Sequence, residues 1–286
     1  MPAIQHILFP FDFSQPGLLA VPFVKAVADR FKARLTLYSL VPPIWEAPPT
    51  GMPVLAATEE DSVQQALKSR LEAALPEELA GLCVQRLTDY GDPALRITEF
   101  AHANAVDVIM MPTHGFGLFR SLLLGSVTAK VLHEAKCPVW TATHAEEQRS
   151  RHAPKKILCA VDGSPKTPEL IQWAFGFSQQ MEASLTLLHI VEPISDMLVI
   201  GAERELQEQL RGQARSKIDY QQRSVGVELP LRVAVGPIAD TVTEEARQEA
   251  ADLIVIGRGA IQSTLGRLRT HAAGIVQRSP CPVWSV

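Results

Sequence analysis

The sequence predicts an α/β protein of two tandem copies, each a five-stranded parallel sheet flanked by helices. Three observations carry that prediction. The chain has 286 residues, natural for two domains near the usual size of ~100–150 residues. One half repeats the other in order. Within each half, short apolar runs alternate with amphipathic stretches, the signature of parallel strands joined by right-handed helical crossovers.

The repeat begins at once. His6–Ser14 reads HILFPFDFS and Lys156–Ser164 reads KILCAVDGS, with Ile, Leu, Asp and Ser recurring at a shift of 150 residues. At the same shift LTLYSLV, ending at Val41, matches LTLLHIV, ending at Val191, and a proline stands two residues beyond each. The shift then falls to 145, where Thr98, Glu99, Ala101, Ala105 and Asp107 match Thr243, Glu244, Ala246, Ala250 and Asp252. It is 144 at the end, where CPVW occurs at Cys137–Trp140 and Cys281–Trp284. Matches in constant order argue for duplication. The polar stretch HAEEQRSRHAPK, His144–Lys155, reads as a linker, which places the domains at 1–146 and 154–286.

Each element has a local reason. Ile7–Phe11 is an apolar run of strand length. Ser14 then offers a helix N-cap, and Pro16 is tolerable in a first turn, where amide donors lack partners anyway. Ala20, Phe23, Val24 and Val27 share one helical face. In the second copy Ser164 is the expected cap, Pro165 the first-turn proline, and Leu170, Trp173, Ala174 and Phe177 the apolar face. Leu35–Val41 and Leu185–Val191 read as second strands, and helices follow over about 60–75 and 202–223. Cys83–Tyr90 and Leu229–Val235 read as third strands, and Asp92-Pro93 and Pro237 open the third helices. DVIMM (Asp107–Met111) and DLIVI (Asp252–Ile256) are continuous apolar runs, as expected of strands covered on both faces. A fourth helix and a last strand, from Val139 and from Val283, close each half.

Composition narrows the function. Apolar residues at 47% and charged residues at 20% suit a globular chain rather than a disordered one. A net charge of -4 provides no general field for nucleic acid or anionic membrane. The first half is the more acidic of the two, which suggests that the copies have diverged in role. Cys83, Cys137, Cys159 and Cys281 are too few and too scattered for a disulfide scaffold. No basic segment precedes an N-terminal apolar run, and no run approaches the ~20 residues of a membrane span. The expectation is a cytoplasmic protein without nucleic-acid or membrane partners. The eight histidines show no close metal-ligand spacing, so no metal is predicted.

In parallel sheets, ligands sit beyond the carboxyl ends of the strands, where strand order reverses. The loop after the fourth strand, from Pro112 to Val127, holds Gly115 and Gly125 with nine residues between them and Ser126 immediately after. Glycine lets backbone amides approach an oxyanion without a Cβ in the way. Ser126 could cap the next helix, whose amides and dipole favour phosphate, and Arg120 could add a charge-assisted contact. The bland reading remains open: loop glycines, with Asp12 and Asp162 as turn or cap residues, and His114 as a bystander.

Gly115-x9-Gly125-Ser126, together with Asp12 after the first strand, the strand ending at Val41 and the CPV terminus, resembles the universal stress protein family. Its nucleotide-binding members carry G-x2-G-x9-G-[ST], and here Pro112 replaces the first glycine. The resemblance covers nearly all of both halves. It implies two Rossmann-like domains of the adenine nucleotide alpha hydrolase-like kind, binding ATP or a related adenine nucleotide as a sensor or regulator in stress response. It further implies that Asp12 lies near the nucleoside and that the Val41 backbone reads the adenine edge. Gly115, Gly125, Ser126 and Val127 would contact ribose and phosphates, with Pro10, Met111 and His114 completing the site. Proline lacks an N–H and has a fixed φ, so Pro112 alters the tightest approach.

The second copy departs further. Asp162 and Val191 remain, but the loop reads Gly257-Arg258-Gly259-Ala260 and reaches Arg269-Thr270 with Ala260 and Arg269 at the places of two glycines. Arg258, Arg267 and Arg269 could grip phosphate without a glycine cradle or fill the site themselves. The rivals are therefore a nucleotide-independent scaffold and a binder of a different small ligand in the second half. No P-loop, nucleophile elbow or complete dinucleotide fingerprint is present. Without an evident general base, any ATP hydrolysis should be slow. The last strands lie at sheet edges, which need cover. The two copies could pair as an intramolecular pseudo-dimer, or such units could form a homodimer.

Overall fold

The computed structural model describes residues 4–42, 57–114, 124–142, 153–193, 202–258 and 269–286. The chain divides into two compact units, residues 3–141 and residues 142–286. In the first, the order is β1 (His6–Pro10), α1 (Gln15–Phe31), β2 (Arg34–Val41), α2 (Ala57–Glu72), β3 (Val84–Tyr90), α3 (Pro93–Ala103), β4 (Val108–Pro112), α4 (Ser126–Glu134) and β5 (Val139–Ala142). The second repeats it as β6 (Lys156–Val161), α5 (Thr167–Met181), β7 (Ser184–Val191), α6 (Ala202–Ser224), β8 (Leu231–Val235), α7 (Ile238–Gln248), β9 (Leu253–Ile256), α8 (Arg269–Arg278) and β10 (Val283–Ser285).

Strand order in the first unit is β3-β2-β1-β4-β5, and in the second β8-β7-β6-β9-β10. The central pairs are parallel, with Ile7 opposite Val108 and Leu8 opposite Ile109 in one copy, and Ile157 opposite Leu253 in the other. Strand order reverses between β1 and β4, and again between β6 and β9. This is the arrangement that opens a crevice at the carboxyl ends.

The apolar patterns form the core. Ile7, Leu8, Phe9 and Val108–Met110 are fully buried, as are Phe23, Val24 and Val27 on the predicted face of α1. Trp140 stacks on Phe23 with ring centroids 4.8 Å apart, while Trp284 meets Phe177 at 4.5 Å and Trp173 at 5.2 Å. Each such buried side chain contributes roughly 1.5–3 kcal/mol. The third strands begin slightly later than the apolar pattern predicts. Pairing nonetheless reaches back to the Cys83 carbonyl, which accepts from the Leu35 amide at 2.9 Å.

The recurring Asp107 and Asp252, matched in sequence without a role, close the opposite end of each sheet. Asp107 Oδ2 accepts from the amides of Gln5 (2.7 Å) and His6 (2.8 Å). Asp252 Oδ2 does the same for Lys155 (3.0 Å) and Lys156 (2.9 Å). The donors at the start of β1 and β6 are thereby tied to the strand across the reversal.

His6 extends the clamp. It is buried, with Nε2 2.8 Å from Thr36 Oγ1 and Nδ1 2.9 Å from an Arg34 nitrogen. A consistent proton arrangement has Nδ1 accepting from Arg34 and Nε2–H donating to Thr36. Burial, with Arg34 adding to it, holds the imidazole below its ordinary value against the opposing pull of the Asn104 carbonyl and Asp107. A depressed folded value means that the unfolded chain binds the proton first. Stability from this group is therefore complete above about pH 6.5 and falls as pH drops through that value. In urea titrations of the full chain, His6→Gln should flatten the loss of first-unit stability between about pH 6.5 and 5. An unchanged slope would refute the assignment.

Candidate functional site

The crevice of the first unit is built from two loops. After β1, the Phe11 amide donates to the Tyr38 carbonyl (2.8 Å), holding the loop beside β2. Asp12 then turns outward and is exposed, its Oδ1 accepting from the Ser14 amide at 3.0 Å. Phe13 takes a positive φ of 61, its ring 4.9 Å from Phe11 and 4.0 Å beneath the Arg70 guanidinium. Ser14 is the predicted N-cap, accepting from the Gly17 amide at 3.2 Å. Asp12 is thus a turn residue and, at the same time, an exposed carboxylate at the strand-order reversal.

The second loop has a closed neck. Thr113 follows β4, and its carbonyl accepts from the Gly125 amide at 2.9 Å. A Cβ on residue 125 would lie 3.0 Å from that carbonyl oxygen, so glycine permits the approach. Pro112 is buried, and its carbonyl accepts from the Thr128 hydroxyl at 3.1 Å. Its ring therefore belongs to the strand end, and Thr128 pins the start of α4 to it. Met111 is buried beside it, Pro10 half-buried across the reversal, and His114 half-buried with Nδ1 2.9 Å from Thr113 Oγ1.

Ser126 does not cap α4 as expected. Gly125 holds the N-cap position, without a side-chain hydrogen bond, and Ser126 is the first helical residue, exposed, followed by half-buried Val127. Gly125 is drawn into the cap by its bond to Thr113, which moves Ser126 one place into the helix. The first-turn amides, which have no intrahelical acceptor, are left without a side-chain cap. Gly115 and Arg120 lie outside the described residues.

At the end of β2, the Val41 carbonyl accepts from the Gly91 amide at 3.1 Å, leaving one lone pair for another donor. A network below it escaped sequence reasoning. Tyr38 donates to Asp89 Oδ2 at 2.6 Å and stacks on Phe100 at 4.8 Å, while Arg96 reaches Asp89 Oδ1 at 3.3 Å. Burial pushes the Asp89 carboxyl up, but the Tyr38 hydroxyl, the Tyr90 amide and Arg96 outweigh it and hold it below the usual range. Burial and Asp89 push the Tyr38 hydroxyl well above its ordinary value.

The second unit keeps the frame and changes the contacts. Asp162 is exposed at the matching turn, and the Val191 carbonyl accepts from Gly236 at 3.2 Å. The expected cap fails: α5 starts at Thr167 behind Lys166, with no side-chain cap, and Pro168 rather than Pro165 sits in its first turn. The Ser164 amide donates to Asp162 Oδ1 at 2.9 Å. Gly257 is exposed, and the Arg258 amide donates to the Val286 carbonyl at 2.7 Å, continuing the β9–β10 pairing. Gly259 and Arg267 lie outside the described residues; Arg269 and Thr270 open α8, but their side chains are not described. Burial pushes the Cys159 thiol up to about 12, so it is inert as a nucleophile. Among the described residues, no group of three or more His, Cys, Asp or Glu is gathered to hold a metal, and no helix is long and apolar enough to cross a membrane.

The universal stress protein family profile matches this chain twice, over residues 3–142 and 154–286. The chain belongs to the universal stress protein family. A universal stress protein of Mycolicibacterium smegmatis is 28% identical over 98% of this chain and 96% of its own length. One from Thermus aquaticus is 34% identical over 47% of this chain and 96% of its own. Among solved structures, a universal stress protein from Archaeoglobus fulgidus aligns over 100% of this chain and 97% of its own, with TM-score 0.71 and 17% identity, a likeness of fold. The tandem organisation read from the repeats, and the family that the motifs resemble, are therefore established.

Thr128 is a further site residue that sequence reasoning missed. A signal existed: at the 144-residue shift it faces Ala272, so only the first copy can pin its helix in this way. Thr128→Val should cost roughly 1–2 kcal/mol of first-unit stability, since it leaves the Pro112 carbonyl without its partner. Hydrogen exchange at the Gly125 amide should quicken as the neck loosens. Unaltered exchange at that amide would show that the hydroxyl does not hold the loop.

Proposed function

We propose that the first unit of this universal stress protein binds an adenine nucleotide, and that the protein acts as a nucleotide-responsive module in the stress response. The observation that carries this reading is the closed neck from Thr113 to Gly125. It presents an uncapped helix start beside the exposed Asp12 carboxylate, at the point where strand order reverses. Backbone amides at such a start suit phosphate oxygens, each dipole contribution being on the order of 0.3–1 kcal/mol, so several must act together. Asp12 suits the hydroxyl donors of a ribose, and the free lone pair of the Val41 carbonyl suits an exocyclic amine. In this reading Gly115, Ser126 and Val127 contribute amides, while Pro10, Met111 and His114 line the walls.

The nucleotide is a bound signal here rather than a fast substrate. No side chain at the described crevice is placed as a general base for water, so hydrolysis is expected to be slow. The second unit is read as an altered site. Its Arg258 amide is engaged by Val286, and its loop lacks two of the glycines.

Calorimetry of the full chain with ATP, ADP and AMP tests the reading. One nucleotide per chain is expected, with a rise in melting temperature. Gly125→Val, which forces a side chain against the Thr113 carbonyl, should abolish it. Absence of both heat and thermal shift at millimolar nucleotide would favour the nucleotide-independent scaffold instead.

A further inference from the structure

The two copies hold an aspartate at the same place and bond it differently. Among the described residues, Asp12 Oδ1 accepts one bond, from the Ser14 amide at 3.0 Å. Asp162 Oδ1 accepts from the Ser164 amide at 2.9 Å and from the Thr167 hydroxyl at 3.1 Å. Residue 17 stands where residue 167 does at the shift of 150. Gly17 has no side chain, yet a Cβ there would lie 3.4 Å from Asp12 Oδ1. The side-chain direction at this position therefore aims at the loop carboxylate in both copies.

The two serines follow suit. With residue 17 bare, Ser14 turns its hydroxyl to the Gly17 amide and caps α1. In the second copy, Ser164 does not cap the helix, the Thr167 hydroxyl turns to Asp162, and α5 begins two residues later in register than α1.

We propose that residue 17, and its counterpart 167, decide whether the loop aspartate is available to a ligand. Gly17 leaves Asp12 open to accept a bond from a ribose hydroxyl. Thr167 makes Asp162 a fixed part of its own turn. The proposal rests on the nucleotide reading of the first unit and adds a specificity-determining position to it.

The chemistry is that of a limited acceptor. A carboxylate offers about four lone-pair sites. The Ser164 amide and the Thr167 hydroxyl take the two sites on Oδ1, so a ligand hydroxyl approaching that oxygen must displace a protein donor. The charge on Asp162 reflects this. Burial pushes its carboxyl up most strongly, yet the Ser164 and Thr167 donors outweigh that and hold it below the usual range.

The test uses the full chain, with Gly17→Ser, Gly17→Ala and Thr167→Val. Serine adds a hydroxyl aimed at Asp12, while alanine adds only the methyl. ATP binding should weaken roughly tenfold in Gly17→Ser relative to Gly17→Ala, the scale of one lost bond to a charged group. Carboxyl-detected NMR titration without nucleotide should show Asp162 moving up in Thr167→Val. Equal affinities for the serine and alanine variants would overturn the proposal. If the wild-type chain binds no ATP, the nucleotide reading falls by itself and the titrations decide. Asp162 unmoved in Thr167→Val then overturns the proposal, and its upward move upholds the switch as a property of the loop.

Discussion

The structure depends on one constraint: β1 and β4 lie side by side and parallel while their following helices go separate ways. A parallel pair leaves both carboxyl ends on the same edge, so the two outgoing loops must part there. Asp12 and the Thr113–Gly125 neck owe their proximity to that pairing, not to any attraction between them. The pairing is secured at the far end, where Asp107 holds the amides of Gln5 and His6 across the reversal. A carboxylate some 15 Å from the crevice, judged by ~3.3 Å per strand residue, thus sets the register that the crevice requires.

Much of this was legible in the sequence, for a physical reason. Strand and helix positions follow from burial periodicity, which is local. The apolar face of α1 and the continuous run before Pro112 could therefore be read directly. Asp92-Pro93 opens α3 as expected because a cap is also local: Asp92 Oδ1 accepts from Ala94 at 2.9 Å and Leu95 at 3.2 Å. Ser126 resisted the same reasoning because its place in the helix is chosen by tertiary context. The Thr113 carbonyl takes Gly125 as the cap, and Ser164 fails as a cap because α5 begins only at Thr167, behind Lys166. The Tyr38–Asp89–Arg96 network was invisible for the same cause, since its members come from three elements.

The duplicated halves separate what the fold needs from what the site needs. Both copies place a positive φ at the same positions: Phe13 and Gly163 in the first loop, Lys32 and Glu182 after the first helix, Ala105 and Ala250 before the fourth strand. Only one of those six residues is a glycine, so the surrounding hydrogen bonds, not the residue type, enforce the turn. Lys32, for instance, donates back to Ala28 and Asp29, and Glu182 to Ser178 and Gln179. Such strain, of order 1–3 kcal/mol per residue, persists only where the frame over-determines the backbone. The frame has therefore been kept, while hydroxyls and glycines around the crevice have changed.

Charge explains why those small groups matter. The chain is net negative overall, at -4, so a polyanionic ligand gains nothing from the general field. Lys130, the cation on α4, is already paired with Asp92 at 3.1 Å. Capture of a phosphate must then come from amides within a few ångströms, whose partial charges act well inside the ~8–10 Å over which salt screens exposed groups. A site of that kind is sensitive to geometry rather than to net charge. One Cβ at Gly125, or one hydroxyl opposite Asp12, alters a contact distance directly, while a surface charge elsewhere alters only a screened background. Divergence between the copies could accordingly proceed by single-atom changes at the strand-order reversal, without disturbing the sheet that brings the two loops together.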